Sequence, residues 1–100
     1  RTLSEQSAEV ASPASSPEDD AILKQRRVAV ERALEMLSPK KRIVLVLSDF
    51  EGHSSQEVGE IVGASALTVR TRLFYARKEF YRALSREVAF ADLPLPKVGE

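Results

Sequence analysis

The sequence of 100 residues contains no cysteine, which excludes a disulfide framework, a thiolate metal site and a cysteine nucleophile. Long apolar runs are also missing: the longest, Ile43–Leu47, has five residues, whereas a membrane-spanning helix needs about 20. No secretory signal is visible. From these absences we expect a cytoplasmic protein without a membrane span.

A catalytic pattern is missing as well. The single histidine, His53, stands just before a predicted helix cap, where a histidine is most often a turn residue. Asp49 and Glu51 form a pair of acids, but no nucleophile, metal partner or phosphate-binding loop accompanies them. We therefore expect surface acids, no catalytic residue, no enzyme activity, no metal and no cofactor.

Charge of one sign is not in excess overall, because 15 basic and 15 acidic residues cancel. This balance argues against a uniformly basic coat of the kind that covers some nucleic-acid-binding proteins. The charges are nevertheless unevenly distributed. Residues 1–20 contain one basic and five acidic residues, whereas residues 66–86 contain six basic residues and one acid, Glu79. One face of the chain can therefore bind phosphate.

Residues 54–84 show the outline of a helix-turn-helix. Ser54 with Glu57 three residues later is a capping box, which predicts the start of a helix. Gly63 ends that helix, and Ser65 can cap a second one. Two helices joined by a short glycine-containing turn, the second beginning with polar and basic side chains, form the arrangement that places a helix in the DNA major groove. We therefore predict binding to double-stranded DNA.

The second of these helices has separate apolar and basic sides. Apolar residues recur at spacings of three and four, which predicts one buried stripe of Val69, Leu73, Ala76, Phe80 and Leu84. At about 100° per residue, a different side carries Arg70, Thr71, Phe74 and Lys78, with Arg77 and Tyr81 flanking it. A solvated helix usually mixes both charge signs there, so the basic excess favours an anionic partner. An ordinary solvated basic face is the alternative.

The candidate base-reading residues lie in the first turns of the second helix, where side chains can reach base edges. They are Ser65, Thr68, Arg70 and Thr71. Arg70 can form a bidentate contact with a guanine, worth about 1–3 kcal/mol of discrimination, and its alternative is a solvated arginine. Phe74 shares this face, where it either meets a thymine methyl group or covers the edge of the core.

Other basic residues are candidates for phosphate contacts, which position a protein on DNA without specifying sequence. These residues are Arg42, Arg77 and Lys78. Arg72 lies nearer the core side of its helix. We expect Arg72 to form a structural ion pair with Glu57 or Glu60.

Two further helices are predicted upstream. Acids after Pro17 favour a helix from about Asp19 to Leu37. Its inner stripe is Val30, Ala33, Leu34 and Leu37, with Met36 as core filler. Ser38 caps the next helix, from about Pro39 to Phe50. Its continuous apolar run also suits a buried strand, but no second strand candidate exists, so we predict a helix buried nearly all round.

The predicted fold is all-α: a four-helix domain that contains the helix-turn-helix, at residues 18–88, with a flexible arm at residues 1–17 and a short tail at residues 89–100. The arm is rich in Ser, Ala and Glu and lacks a periodic apolar pattern. The last helix is expected to continue to about Val88, and the proline-containing tail to be extended. Because the chain opens on Arg1 rather than Met, we expect a fragment.

The order and spacing of residues from Leu37 to Leu84 resemble region 4 of the sigma-70 family, specifically the extracytoplasmic-function (ECF) sigma factors. The resemblance rests on Leu37, Pro39, Arg42, Glu51-Gly52, Ser54, Glu57-Val58, Val62-Gly63, Ser65 and the segment Thr68-Val69-Arg70-x-Arg72-Leu73-x-x-Ala76-Arg77. That segment is specific when it follows a capping box at this distance. The chain departs from the family pattern at Pro39, which comes one place late, and at Gly59, Leu67 and Tyr75, where alanine, glycine and arginine are frequent.

The resemblance implies a part of a bacterial RNA polymerase sigma subunit that binds the promoter −35 element in duplex DNA. It also implies docking on the β flap of core RNA polymerase, sequestration by an anti-sigma factor and association with the nucleoid. In such proteins a separate upstream domain melts the −10 region. Residues 1–17 are then expected to be the end of an inter-domain linker.

Two other functions remain open at this stage. A response-regulator-type (LuxR-like) helix-turn-helix output domain shares the four-helix frame, although the run from Arg72 to Arg77 favours sigma. A protein-binding module held by an anti-sigma factor or by polymerase is the other possibility, and such a module would not need Arg70 or Lys78.

Overall fold

A computed structural model describes residues 16–98, so the predicted arm at residues 1–17 lies almost entirely outside the described part. The elements are α1 (Pro17–Glu35), α2 (Pro39–Leu45), a π-helical turn (Val46–Phe50), α3 (Ser55–Val62), α4 (Ala66–Ser85) and a 3₁₀ turn (Val88–Phe90). Residues 16–98 contain no strand, which confirms the all-α prediction and excludes the strand alternative for Ile43–Leu47.

Serine residues in extended backbone conformation cap the four α-helices: Ser16, Ser38, Ser54 and Ser65. The capping box is reciprocal, because the backbone N–H of Glu57 donates to Ser54 Oγ at 3.1 Å and the backbone N–H of Ser54 donates to Glu57 Oε1 at 2.9 Å. These bonds satisfy N–H groups that the first turn of a helix leaves unpaired. The predicted starts of α2, α3 and α4 are therefore confirmed.

A left-handed glycine ends α3, as predicted. Gly63 has φ +76°, a conformation that side chains with a Cβ rarely adopt, and its N–H donates to the carbonyl oxygen of Gly59 at 2.8 Å. The N–H of Ala64 donates to the same carbonyl at 2.9 Å. This double contact turns the chain sharply and fixes the angle at which α4 leaves α3.

The buried side of α4 forms the centre of the core. All five residues of the predicted stripe are buried: Val69, Leu73, Ala76, Phe80 and Leu84. They pack with small or branched residues of the other helical segments and of the corner between α1 and α2: Ala29, Ala33, Leu37, Val44, Leu45, Leu47 and Val58. Because one whole side of α4 is fixed in this way, its opposite side is held at a defined place on the surface.

Three apolar residues that were predicted to be buried are exposed in the structure. Met36 is 70% exposed, because it follows the last residue of α1 at the corner before α2 and points outward, so the prediction of core filler is wrong. Ile43 and Phe50 are also exposed, and the segment from Pro39 to Phe50 is therefore buried on one side only. In α1, Ala29 is fully buried although the predicted stripe omitted it.

The chain after α4 packs back against α1. α4 ends at Ser85, three residues before the predicted end, and Arg32 then forms two hydrogen bonds with the carboxylate of Glu87 at 2.7 and 3.2 Å. Arg26 Nε donates to the carbonyl oxygen of Ala89 at 3.1 Å, and Phe90 packs on the core. Part of the segment assigned to the tail therefore belongs to the packed structure. Within residues 16–98, no helix is long and apolar enough to cross a membrane.

Candidate nucleic-acid interface

The start of α4 is held by its own cap. Ser65 Oγ accepts a hydrogen bond from the backbone N–H of Thr68 at 3.1 Å and lies 3.0 Å from Thr68 Oγ1, to which it donates. Ser65 remains exposed and Thr68 is half-buried. Both candidate residues therefore have a structural role at the helix start, and the Ser65 side chain is also open to a partner.

Arg70, Thr71 and Phe74 are exposed together on one side of α4. Arg70 forms no ion pair with any residue in the range 16–98, so within that range its guanidinium is unneutralised. The Phe74 ring is 41% exposed and packs edge-to-face against Tyr75, with 5.1 Å between ring centroids. An exposed aromatic ring beside an uncommitted arginine offers both apolar and charged contacts on the same surface.

Arg77 is committed to an ion pair that the sequence did not predict. Its Nε and Nη2 donate to the two carboxylate oxygens of Asp49 at 2.8 and 2.7 Å. These hydrogen bonds raise the pKa of Arg77 above its usual value. The pair joins the π turn after α2 to the middle of α4. Asp49, which the sequence suggested was a simple surface acid, therefore orients one of the candidate phosphate contacts.

Lys78 is half-buried on the outer side of α4 and has no ion-pair partner within residues 16–98. The neighbouring acid, Glu79, is turned away and pairs with Lys41 of α2. Glu79, the single acid in residues 66–86, therefore forms an ion pair that joins α4 to α2. The outer side of α4 is left with an excess of positive charge.

Arg42 has a structural role that the sequence analysis missed. Its Nε donates to the carbonyl oxygen of Leu34 at 2.9 Å, and its Nη2 donates to that of Leu37 at 2.9 Å and to that of Glu35 at 3.5 Å. The guanidinium therefore caps the carboxyl end of α1, where helix carbonyls lack partners. A phosphate contact by Arg42 stays a prediction, and it requires these bonds to be shared or broken.

Arg72 does not form the ion pair expected with Glu57 or Glu60, since neither acid lies within 4 Å of it in the structure. The Glu57 carboxylate is occupied by the capping box, and His53 Nδ1 lies 3.5 Å from it. The hydrogen bond from the Ser54 backbone, followed by the contact with His53, lowers the pKa of Glu57. The prediction for Arg72 was wrong: the capping box occupies Glu57, and Glu60 forms no ion pair within residues 16–98.

An open groove with a volume of about 700 Å³ brings together three of the eight candidates, Arg70, Phe74 and Arg77, but not the other five. Its lining includes the first turn of α3, at Ser54 and Ser55, and the exposed side of α4, at Arg70, Phe74 and Arg77. The amino-terminal end of a helix carries positive partial charge from its unpaired N–H groups. The groove therefore combines two kinds of positive potential with an exposed ring. No cluster of His, Cys, Asp or Glu in residues 16–98 could hold a metal ion.

Comparison with known proteins identifies the family. Residues 27–80 match the family described as "Sigma-70, region 4". The chain is also 33% identical over 76 residues to the ECF RNA polymerase sigma factor SigE of Mycolicibacterium smegmatis (strain ATCC 700084 / mc(2)155), a match that covers 74% of this chain and 30% of that protein. No solved structure matches the chain significantly. The chain thus spans about a third of the length of this curated relative.

The family match extends from α1 to Phe80 of α4, so it includes every candidate residue, from Arg42 in α2 to Lys78 in α4. It begins within α1 and ends before the segment that packs back after α4. This chain is similar in sequence to an ECF sigma factor. Since the family match covers more than half of the residues, this chain belongs to the sigma-70 region 4 family.

Proposed function

We propose that this chain is the −35-reading part of an ECF-type sigma factor. It binds the promoter −35 element in duplex DNA and docks on the β flap of core RNA polymerase to direct transcription initiation, under the control of an anti-sigma factor. The observation that carries this proposal is the pair of opposite sides on α4, one wholly buried and the other exposed and basic around Arg70. Family membership supports the same function. No catalytic role is proposed.

In this proposal, the amino-terminal half of α4 enters the major groove. Arg70 and Thr71 face base edges, and the exposed ring of Phe74 meets a thymine methyl group. Ser65 and Thr68 are near the helix start, where they can reach the DNA while they maintain the cap. Arg77, Lys78 and, from α2, Arg42 lie at greater distance from the bases and contact phosphates. Few phosphates are contacted, so binding by this chain alone is weak and depends strongly on salt.

Docking on protein partners is supported by exposed apolar side chains on α1 and α2. Ile22, Leu23 and Ile43, together with Met36 at the corner between the two helices, are each more than 40% exposed. Such side chains suit contacts with another protein. The polymerase flap and the anti-sigma factor are the proposed partners for this region.

An in vitro selection tests the DNA-reading part of the proposal. Duplexes with a random segment are enriched on the full chain, and the selection is repeated with Arg70→Ala. We expect the parent to select a defined sequence and the variant to lose a guanine preference at one position, by about 5- to 150-fold. A parent that binds random duplex, single strands and the selected duplex equally would refute DNA reading.

The matched control is Arg27→Ala. Arg27 is exposed on α1 and has no ion pair within residues 16–98, so its removal changes the net charge equally without touching α4. We expect this variant to keep the base preference. Lys78→Ala should weaken binding about equally for all sequences and reduce the salt slope by about one. If Arg70→Ala and Lys78→Ala both leave the activity in transcription initiation intact, the chain acts as a protein-binding module instead.

A further inference from the structure

The last described residues line grooves on the side of α4 that we assign to DNA. Residues 93–98, here named the strap, follow the turn after Phe90 and run back beside α4. One groove of about 640 Å³ is lined by strap residues together with Lys78, Tyr81 and Ser85 of α4. At its far end the strap reaches the groove that contains Arg70 and Phe74, where Lys97 and Val98 form part of the lining.

The strap is held by apolar contacts at low entropic cost. Leu95 packs against the core and is half-buried, and Val98 is half-buried at the far end. Pro94 and Pro96 restrict the backbone to an extended conformation, so less conformational entropy is lost when the strap packs against the domain. Within residues 16–98, no hydrogen bond or ion pair joins residues 94–98 to α4. A segment held in this way can leave the helix without breaking a polar contact.

The size of the major groove makes the strap and DNA mutually exclusive on this side. An α-helix with its side chains is about 10–12 Å across, and the major groove of B-DNA is about 12 Å wide, so a helix alone fills it. An extended chain lying beside the helix adds about 5 Å. At the groove of Arg70 and Phe74, which Lys97 and Val98 also line, the helix and the strap together are therefore too wide to enter.

We propose that the strap is an autoinhibitory element that must leave α4 before the helix enters DNA. This inference rests on the proposed function, because it assumes that the Arg70 side of α4 faces DNA. The apparent affinity is then the intrinsic affinity multiplied by the fraction of molecules with the strap open. If the strap is open in about one fifth of the molecules, the affinity is lower by about fivefold.

Truncation after Leu95 tests this inference directly. The deletion of residues 96–100 removes one base, Lys97, and one acid, Glu100, so the net charge is unchanged. Leu95 and its core contact are retained. Binding of the full chain and of the truncated chain to the duplex selected by the full chain is measured by fluorescence anisotropy. We expect about fivefold tighter binding by the truncated chain, with equal circular dichroism spectra.

The full chain with Lys97→Ala is the control for charge. If the strap inhibits, this variant binds at least as tightly as the parent. A different result would overturn autoinhibition: Lys97→Ala and the truncated chain both bind more weakly than the parent, and both show a smaller salt dependence. Lys97 would then be a phosphate contact. Equal binding by the parent and the truncated chain also overturns it. If neither chain prefers a defined duplex over random sequence, the proposed function fails first, and the inference fails with it.

A second measurement does not depend on truncation. In the full chain, the Val98 methyl groups should show nuclear Overhauser effects to α4 that disappear, with narrower lines, when the selected duplex is added. Contacts between Val98 and α4 that persist in the saturated complex would contradict displacement of the strap.

Discussion

Replacement of Arg42 by alanine tests separately whether this residue stabilises the fold and whether it contacts DNA. The Arg42 guanidinium is half-buried between α1 and α2 and donates two hydrogen bonds of 2.9 Å to the carbonyl oxygens of Leu34 and Leu37. A third, longer contact reaches the carbonyl of Glu35 at 3.5 Å. Arg42→Ala removes all three, and the carbonyls at the end of α1 lose their protein partners.

The expected cost follows from these contacts. A hydrogen bond to a charged group contributes about 1.5–3 kcal/mol when it is well shielded from solvent. Because Arg42 is half-buried, water can replace part of what is lost, and the third contact is too long to count fully. We therefore expect Arg42→Ala to lower the free energy of unfolding by about 2 kcal/mol. For a domain of this size, that corresponds to a fall in Tm of about 8–16 °C.

Urea unfolding monitored by circular dichroism gives the free energy, and Lys40→Ala is the matched control. Lys40 is an exposed basic residue in the same helical turn, without an ion pair in the described residues, and its loss should change stability by about 0.5 kcal/mol or less. An Arg42→Ala variant as stable as the control would refute the capping role. Weaker DNA binding by a fully folded Arg42→Ala variant would support the predicted phosphate contact.

Two further predictions concern the helix-turn-helix. Gly59→Ala places a Cβ in steric conflict with the backbone carbonyl oxygen of Ala64. Despite a gain of about 1 kcal/mol in helix propensity, we therefore expect urea unfolding to show a net loss of about 1–2 kcal/mol in the free energy of unfolding. A more stable variant would contradict this. The pKa of Glu57 lies below its ordinary value of 4.5, because the Ser54 backbone and then His53 donate to its carboxylate. A lowered carboxylate pKa contributes stability above the unfolded-state pKa, and this is lost as pH falls through the folded-state value. As the pH falls below about 5, the free energy of unfolding should therefore decrease less for Glu57→Gln than for the parent. If it decreases equally for both, the capping box does not lower the pKa of Glu57.

The local features of the fold were predictable from the sequence. A serine cap, a left-handed glycine and a stripe at spacings of three and four each depend on residues close together in the chain. For this reason the starts of α2, α3 and α4 and the buried stripe of α4 were confirmed. The end of α4 was less predictable, since the apolar residues Val88, Ala89 and Phe90 follow shortly after Ser85 while the chain turns back towards α1.

The contacts between distant residues were not predictable. Asp49 and Arg77 are 28 residues apart, and each alone resembles an ordinary surface charge. Arg42 caps a helix that precedes its own, so nothing in its neighbours indicates that role. The exposure of Met36 depends on the corner between α1 and α2, which is set by the packing of the whole core. Arg72 was predicted wrongly for a different reason, because the capping box formed by neighbouring residues occupies Glu57, one of its two expected partners.

The strap illustrates the same limit on a larger scale. Its two prolines predicted an extended tail, and the backbone of residues 94–98 has no regular structure. Which side of the domain the tail follows depends on the turn at residues 88–93 and on where Leu95 finds an apolar surface. Those determinants depend on tertiary packing, so local sequence patterns do not indicate that the tail reaches the groove beside Arg70.

The most direct test of the whole account is a map of the DNA contact by nuclear magnetic resonance. The ¹⁵N-labelled chain is titrated with the duplex that it selects, and amide shifts are followed for residues 16–98. We predict the largest changes from Ser65 to Lys78, with smaller changes at Ser54 and Ser55 and none in the middle of α1. Changes confined to α1, or an unperturbed α4 at saturation, would contradict the claim that the exposed basic side of α4 binds DNA.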